Sequence, residues 1–133
     1  MPEADEVSPV RMLYAAHFVQ CEVIYHQYQH TKPMFFNPIT QQQVGSTFIA
    51  YTHIWMALLY VVAEGFKEIG LQDAELDQLI DVHLDELRVF RNSVFHFQKT
   101  DKKRAQFHGV DQFNWAQKLH VAFQRFFATQ QIV

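Results

Sequence analysis

Residues 76–97, LDQLIDVHLDELRVFRNSVFHF, decide how the chain is read. Leu76, Ile80, His83, Leu87, Phe90, Val94 and Phe97 recur four and three apart. That spacing lines one face of an α-helix and makes the seam that packs helical bundles. Asp73, with acids behind it, reads as the N-cap of this helix, which is expected to run over about 73–98.

The flanking sequence carries the same period. Ser8-Pro9 suits an N-cap followed by proline at the first helical position. Val10, Leu13, His17, Cys21, Ile24 and Tyr28 then continue a helical stripe, predicting a first helix over about 8–30. TKPMFFNPITQQQ is a two-proline connection whose Met34, Phe35 and Phe36 are expected to pack back on the body or form a flap. A second helix is expected over about 41–69, closed by Gly70 as a left-handed cap. Its stripe of Phe48, Thr52, Trp55, Leu59, Val62, Phe66 and Ile69 is widened by Ile49, Tyr51, Met56 and Leu58 beyond what one neighbour can cover. A fourth helix over about 110–131 would bury Phe113, Ala116, Leu119, Phe123 and Phe126. No sustained strict alternation competes, so the expectation is one all-α domain spanning residues 1–133, an antiparallel up-down four-helix bundle.

Composition bounds the function. A hydrophobic fraction of 49% and thirteen phenylalanines supply one core, and a formal charge of −3 excludes a general basic coat for nucleic acid. The lone Cys21 forms no internal disulfide and no secretory leader is evident, so a cytoplasmic protein is expected. Thr47–Ala63 is apolar, but it is short for a membrane span and carries Thr47, Thr52 and His53; a surrounded core helix is the expectation. Charge is segregated: acids crowd residues 73–86, and Lys99, Lys102, Lys103 and Arg104 follow the seam.

With Phe90, Val94 and Phe97 turned to the core, a continuous helix would place Asn92 and His96 together on an outward face. Arg91 would stand about 140° from His96, a gap its long side chain can close. Val82, Val89 and Phe95 surround these polar tips with apolar surface, as at a contact between molecules.

Arg91, the adjacent Asn92 and His96 four residues beyond it resemble the mark of the HEPN superfamily, which is Arg, four to six residues, then His, late in a helix of an all-α bundle. The resemblance implies a metal-independent endoribonuclease of toxin or defence type, needing no cofactor. It further implies a homodimer formed through the second and third helices that joins two motifs in one cleft. His96 would move protons, Arg91 would grip phosphate oxygens, and Asn92 would orient either. Glu64 on the second helix is a further acid for the cleft, and Lys99, Lys102, Lys103 and Arg104 would draw in an RNA backbone. Members of this family are also partnered by an antitoxin or a nucleotidyltransferase. In those toxins a tyrosine two residues after the His accepts adenylyl groups; here the position is Gln98.

Other functions fit an all-α chain of this kind. It could be a non-catalytic module that binds RNA, a nucleotide or a protein. It could also hold a small hydrophobic ligand between the second helix and Met34-Phe35-Phe36. Glu22, His26 and His30 lie in an i, i+4, i+8 line, an incomplete metal-ligand set without any Glu-x-x-His pair, and no metal site is assigned. Cys21, near His17 in spacing, is expected to be inert packing, and His53 and His83 to be core histidines.

Overall fold

A computed structural model describes residues 7–96 and 109–130. All regular structure among them is helical: α1 (Pro9–Leu13), a π-helical turn (Tyr14–Phe18), α2 (Val19–Phe35), α3 (Gln41–Ile69), α4 (Ala74–Leu79), a 3-10 turn (Ile80–Val82), α5 (Leu84–Phe95) and α6 (Val110–Thr129). The basic run Lys99, Lys102, Lys103 and Arg104, with Phe97 of the seam, lies outside the described residues.

The helix ends follow local chemistry. Ser8 accepts the Arg11 amide at 3.3 Å with Pro9 in the first turn. Asp73 accepts the Leu76 amide at 3.0 Å, and Gly70 closes α3 at φ 81°. In that left-handed region a side chain would be strained.

Two boundaries depart from expectation. The first helix runs to Phe35 rather than stopping near 30, with Pro33 inside its last turns. Proline there removes one backbone N–H hydrogen bond, but the helix is already ending, and the Thr40 hydroxyl donates to the Met34 carbonyl at 2.6 Å to satisfy the frayed end. Asn37 then shapes the short turn by accepting the Ile39 amide at 2.9 Å.

The expected third helix over 73–98 is instead two helices joined at His83, whose φ of −133° and ψ of 24° are not helical. The Trp115 indole donates to the Leu79 carbonyl at 2.7 Å. An unbroken helix would offer that carbonyl to the His83 amide. A side chain from α6 thus competes with the His83 amide for that carbonyl, taking one of its two lone pairs. The seam survives on both sides of the break: Leu76, Ile80, Leu87 and Phe90 are buried, while His83 and Val94 are half-buried. Replacing Trp115 by phenylalanine removes the captured hydrogen bond and is expected to cost about 1–2 kcal/mol in urea unfolding. An unchanged midpoint would mean that this hydrogen bond adds nothing to stability.

α3 is the central member. Its extra apolar width is covered by α2 on one side and α5 on another, while α6 closes the core with Leu119, Phe123 and Phe127. Trp55, Leu59, Val62 and Phe66 are fully or almost fully buried, whereas Ile69, at the end of the expected stripe, is 37% exposed. Gly65 lets Leu13 approach closely, since a Cβ there would stand 2.5 Å from Leu13 Cδ1. By length and composition α3 could cross a membrane, and half of its most apolar stretch is buried against the other helices.

Candidate functional site

The Arg–Asn–His stretch sits at the end of α5, where that helix lies along α3. Phe90 is fully buried and meets the edge of the His53 ring at 5.3 Å. Arg91, one position on, reaches back across α3 and lays its guanidinium over the Tyr60 ring, 4.8 Å from the centroid. The Tyr60 hydroxyl in turn donates to Glu64 at 2.6 Å. Burial, and then the Glu64 carboxylate, raise the Tyr60 phenol above its ordinary value, with Arg91 and Arg88 opposing. Arg91 and Glu64, both picked out in the sequence, thus flank one tyrosine that was not.

Arg91 carries a second feature. Its Nε is buried and has no hydrogen-bond partner among the described residues. Among the described residues no carboxylate forms an ion pair with it, although the neighbouring helices bear several acids. A buried donor left unmade costs about 1–3 kcal/mol. Because that atom is closed to solvent, an incoming acceptor recovers the cost only when the side chain shifts off Tyr60 to meet it.

His96 departs from the expected helical stacking on Asn92. α5 ends at Phe95, and His96 is extended at φ −125° and ψ 139°, its amide still bonded to the Asn92 carbonyl at 3.0 Å. The imidazole is exposed and Asn92 half-buried. Around them Val82 and Phe95 are 57% and 51% exposed, and Val89 is half-buried. Tyr60 and Glu64 also border a shallow groove of about 460 Å³ that passes Lys67, Glu68 and Leu84.

A buried polar centre lies elsewhere in the core and had no place in the sequence reading. His120, with no exposed surface, accepts the Trp55 indole N–H on Nδ1 at 3.0 Å. Its Nε2 meets Glu22, which also accepts from Gln124 at 2.7 Å. An indole can only donate, so the imidazole proton must sit on Nε2 and point at Glu22. Burial holds the His120 imidazole below its ordinary value against the pull of Glu22. For Glu22, burial acts upward, but hydrogen bonds from His120 and Gln124 outweigh it and hold the carboxyl low.

This use of Glu22 dismantles the Glu22, His26, His30 line. His26 is 3.8 Å from the carboxylate and exposed, as is His30. No cluster of three or more His, Cys, Asp or Glu able to hold a metal occurs among the described residues. Cys21 is fully buried, and its neighbour is His120 at 3.7 Å rather than the exposed His17. Burial, reinforced by Glu22, pushes its thiol well up, away from nucleophilic use. Of the two expected core histidines, His53 and His83 are only half-buried; His83 lies 3.2 Å from Glu86.

A separate apolar cavity of about 470 Å³ opens between α2, α3 and α6, walled by Tyr28, Phe35, Phe36, Phe48 and Phe113 with Lys32 among them.

No family model matches the chain, and neither a curated protein nor a solved structure matches it.

Proposed function

We propose that the chain is a metal-independent endoribonuclease of HEPN type, acting as a homodimer, and that α5 carries its site. The observation behind this reading is the Arg91 guanidinium: oriented on Tyr60, unpaired by any acid among the described residues, and holding a buried N–H without an acceptor. A phosphate oxygen is the acceptor that fits a planar cationic fork. The reading takes residues 9–35, α3, α4 with α5, and α6 as the four members of an up-down bundle. It takes the outer face of α5, with Val82, Val89 and Phe95, as the contact between copies.

In this reaction the RNA 2′-oxygen bonds to its own phosphorus and the bond to the 5′-oxygen breaks. The products are a 2′,3′-cyclic phosphate and a 5′-hydroxyl. One His96 takes the 2′-hydroxyl proton and the second copy's His96 returns one to the leaving oxygen. Arg91 from each copy offsets the charge that grows on phosphorus-bound oxygens. Asn92, at the edge of this face, orients either partner. Glu64 fixes Tyr60 beneath the guanidinium. Lys99, Lys102, Lys103 and Arg104 would add salt-sensitive affinity for the RNA backbone. An antitoxin or nucleotidyltransferase partner and a cytoplasmic setting accompany the reading; Gln98 in place of tyrosine weighs against control by adenylylation.

The test is incubation of the full chain with mixed RNAs in excess chelator, with product ends identified by mass. Cyclic phosphate ends, lost in a Val89→Asp variant that runs as a monomer by light scattering and keeps its helicity, are expected. RNA binding without cleavage would favour the non-catalytic module instead. A Val89→Asp protein that stays dimeric would remove the α5 face from the assembly.

A further inference from the structure

We propose that the apolar cavity between α2, α3 and α6 is a binding site for a small amphipathic anion, an apolar chain or ring ending in a carboxylate. The inference does not rest on the ribonuclease reading. At about 470 Å³ the cavity is of the size that holds small organic ligands. Its walls are aromatic: Phe35 stacks on Phe48 at 4.4 Å, and Phe48 on Tyr28 at 5.5 Å, so an aromatic edge of the core lines the cavity.

Among the described residues, the charge in the lining is of one sign: Lys32 is the only lysine, arginine or acid there. It rides above the Tyr28 ring, 5.7 Å from the centroid, and pairs with no carboxylate among the described residues. Beyond this cation–π contact, its ammonium donors meet no acceptor among the described residues. Tyr28, almost fully buried, accepts a hydrogen bond from Gln117 at 3.1 Å, and Gln117 lines the same cavity. With Gln117 as donor, the tyrosine's own hydrogen has no acceptor among the described residues and is left for one from outside. An ammonium and a phenol beside an apolar slot match a carboxylate head with an apolar tail. A cationic ligand would meet Lys32 with repulsion, and a fully apolar one would leave both donors unmatched. At the rim, Phe36 is 68% and Val110 74% exposed, apolar surface that a bound tail would cover.

Decanoate, decanol and decyltrimethylammonium, each below its micellar concentration, are titrated calorimetrically into the full chain at low salt. Decanoate is expected to bind one per chain, about threefold to fivefold tighter than decanol, the range of a half-exposed charge contact. Lys32→Met should erase that preference and Lys32→Glu should transfer it to the trimethylammonium. Ile49→Trp, placed at the cavity wall, should weaken decanoate and decanol alike by about tenfold with the thermal melt unchanged. Charge-independent binding, multiple non-saturating sites, or indifference to Ile49→Trp would overturn the proposal. So would a dimer that binds no decanoate and dissociates on Ile49→Glu, because a second copy would then fill the slot.

Discussion

Replacing His120 by alanine is expected to lower the unfolding free energy by about 3–5 kcal/mol, the largest effect of any single polar residue in the core. Three losses combine. The buried ring leaves a cavity among Phe18, Tyr25 and Trp55, whose rings pack on it at centroid distances of 5.3, 3.9 and 5.9 Å. The Trp55 indole N–H loses its acceptor in a site closed to water. Glu22 loses its strongest partner, although it keeps Gln124 and is 27% exposed, so its share is the smallest. His120→Gln should recover part of the loss.

The same centre sets a pH dependence. The folded state holds His120 below its ordinary value, so on acidification the unfolded chain takes a proton that the folded chain refuses. A second proton on the ring would also face the Trp55 N–H donor to donor. Stability is therefore fully present above the ordinary imidazole value and falls as pH drops through it. Glu22, held low, contributes a further loss only as pH falls through and below the ordinary carboxylate range. Urea midpoints at about pH 7.5 and 5.5, roughly a unit either side of the ordinary imidazole value, should differ for the wild-type chain. In His120→Gln this difference should shrink or vanish. An equal slope in both proteins would place the titration elsewhere.

On the ribonuclease reading proposed above, His96→Ala is expected to reduce RNA cleavage by about two to four orders of magnitude, the usual contribution of a positioned acid–base group. The melt and dimer should be untouched, because the imidazole stands exposed at the end of α5. Arg91→Lys keeps the charge but loses the planar fork and its stacking on Tyr60. A loss of about tenfold to a hundredfold is expected, corresponding to a charge-assisted hydrogen bond of about 1.5–3 kcal/mol. Cleavage by His96→Ala at the wild-type rate would end the assignment of acid–base chemistry to this position. If both variants bind RNA more weakly and neither form cleaves it, the face is a binding surface alone.

Much of the frame is legible in the residues themselves because its causes are local. Ser8-Pro9, Asp73 and Gly70 act on the turn in which they sit, and each caps the helix the spacing assigns to it. The α3 stripe from Phe48 to Phe66 is buried for the same reason: a 3.6-residue period carries its own geometry. Arg91 and Glu64 could be picked out because an Arg-Asn pair before a His, and an acid ending an apolar run, are visible without a fold.

What escaped the sequence depends on side chains far apart in the chain. His120 falls in the period of Ala116 and Phe123, a hint of burial, but its partner Glu22 stands almost a hundred residues earlier. Nothing local in either joins them. The break at His83 interrupts a spacing that reads as unbroken, because the group that captures the Leu79 carbonyl belongs to Trp115 on α6. The π turn at Tyr14–Phe18 has no local marker of the kind that betrays the caps. Tyr60 entered the site only when α5 was laid along α3 and put a guanidinium over its ring.

The amino-acid sequence by itself thus determined that the chain is helical, where α1, α3, α4 and α6 begin, where α3 ends, and which faces turn inward. Period and capping act over one or two turns. Tertiary structure alone decided which carbonyl an indole competes for, which carboxylate keeps a buried histidine company, and which cations among the described residues are left without an acid. A hydrogen bond or a charge is satisfied by whatever the packed helices bring within about 3 Å, and spacing along the chain does not specify that distance.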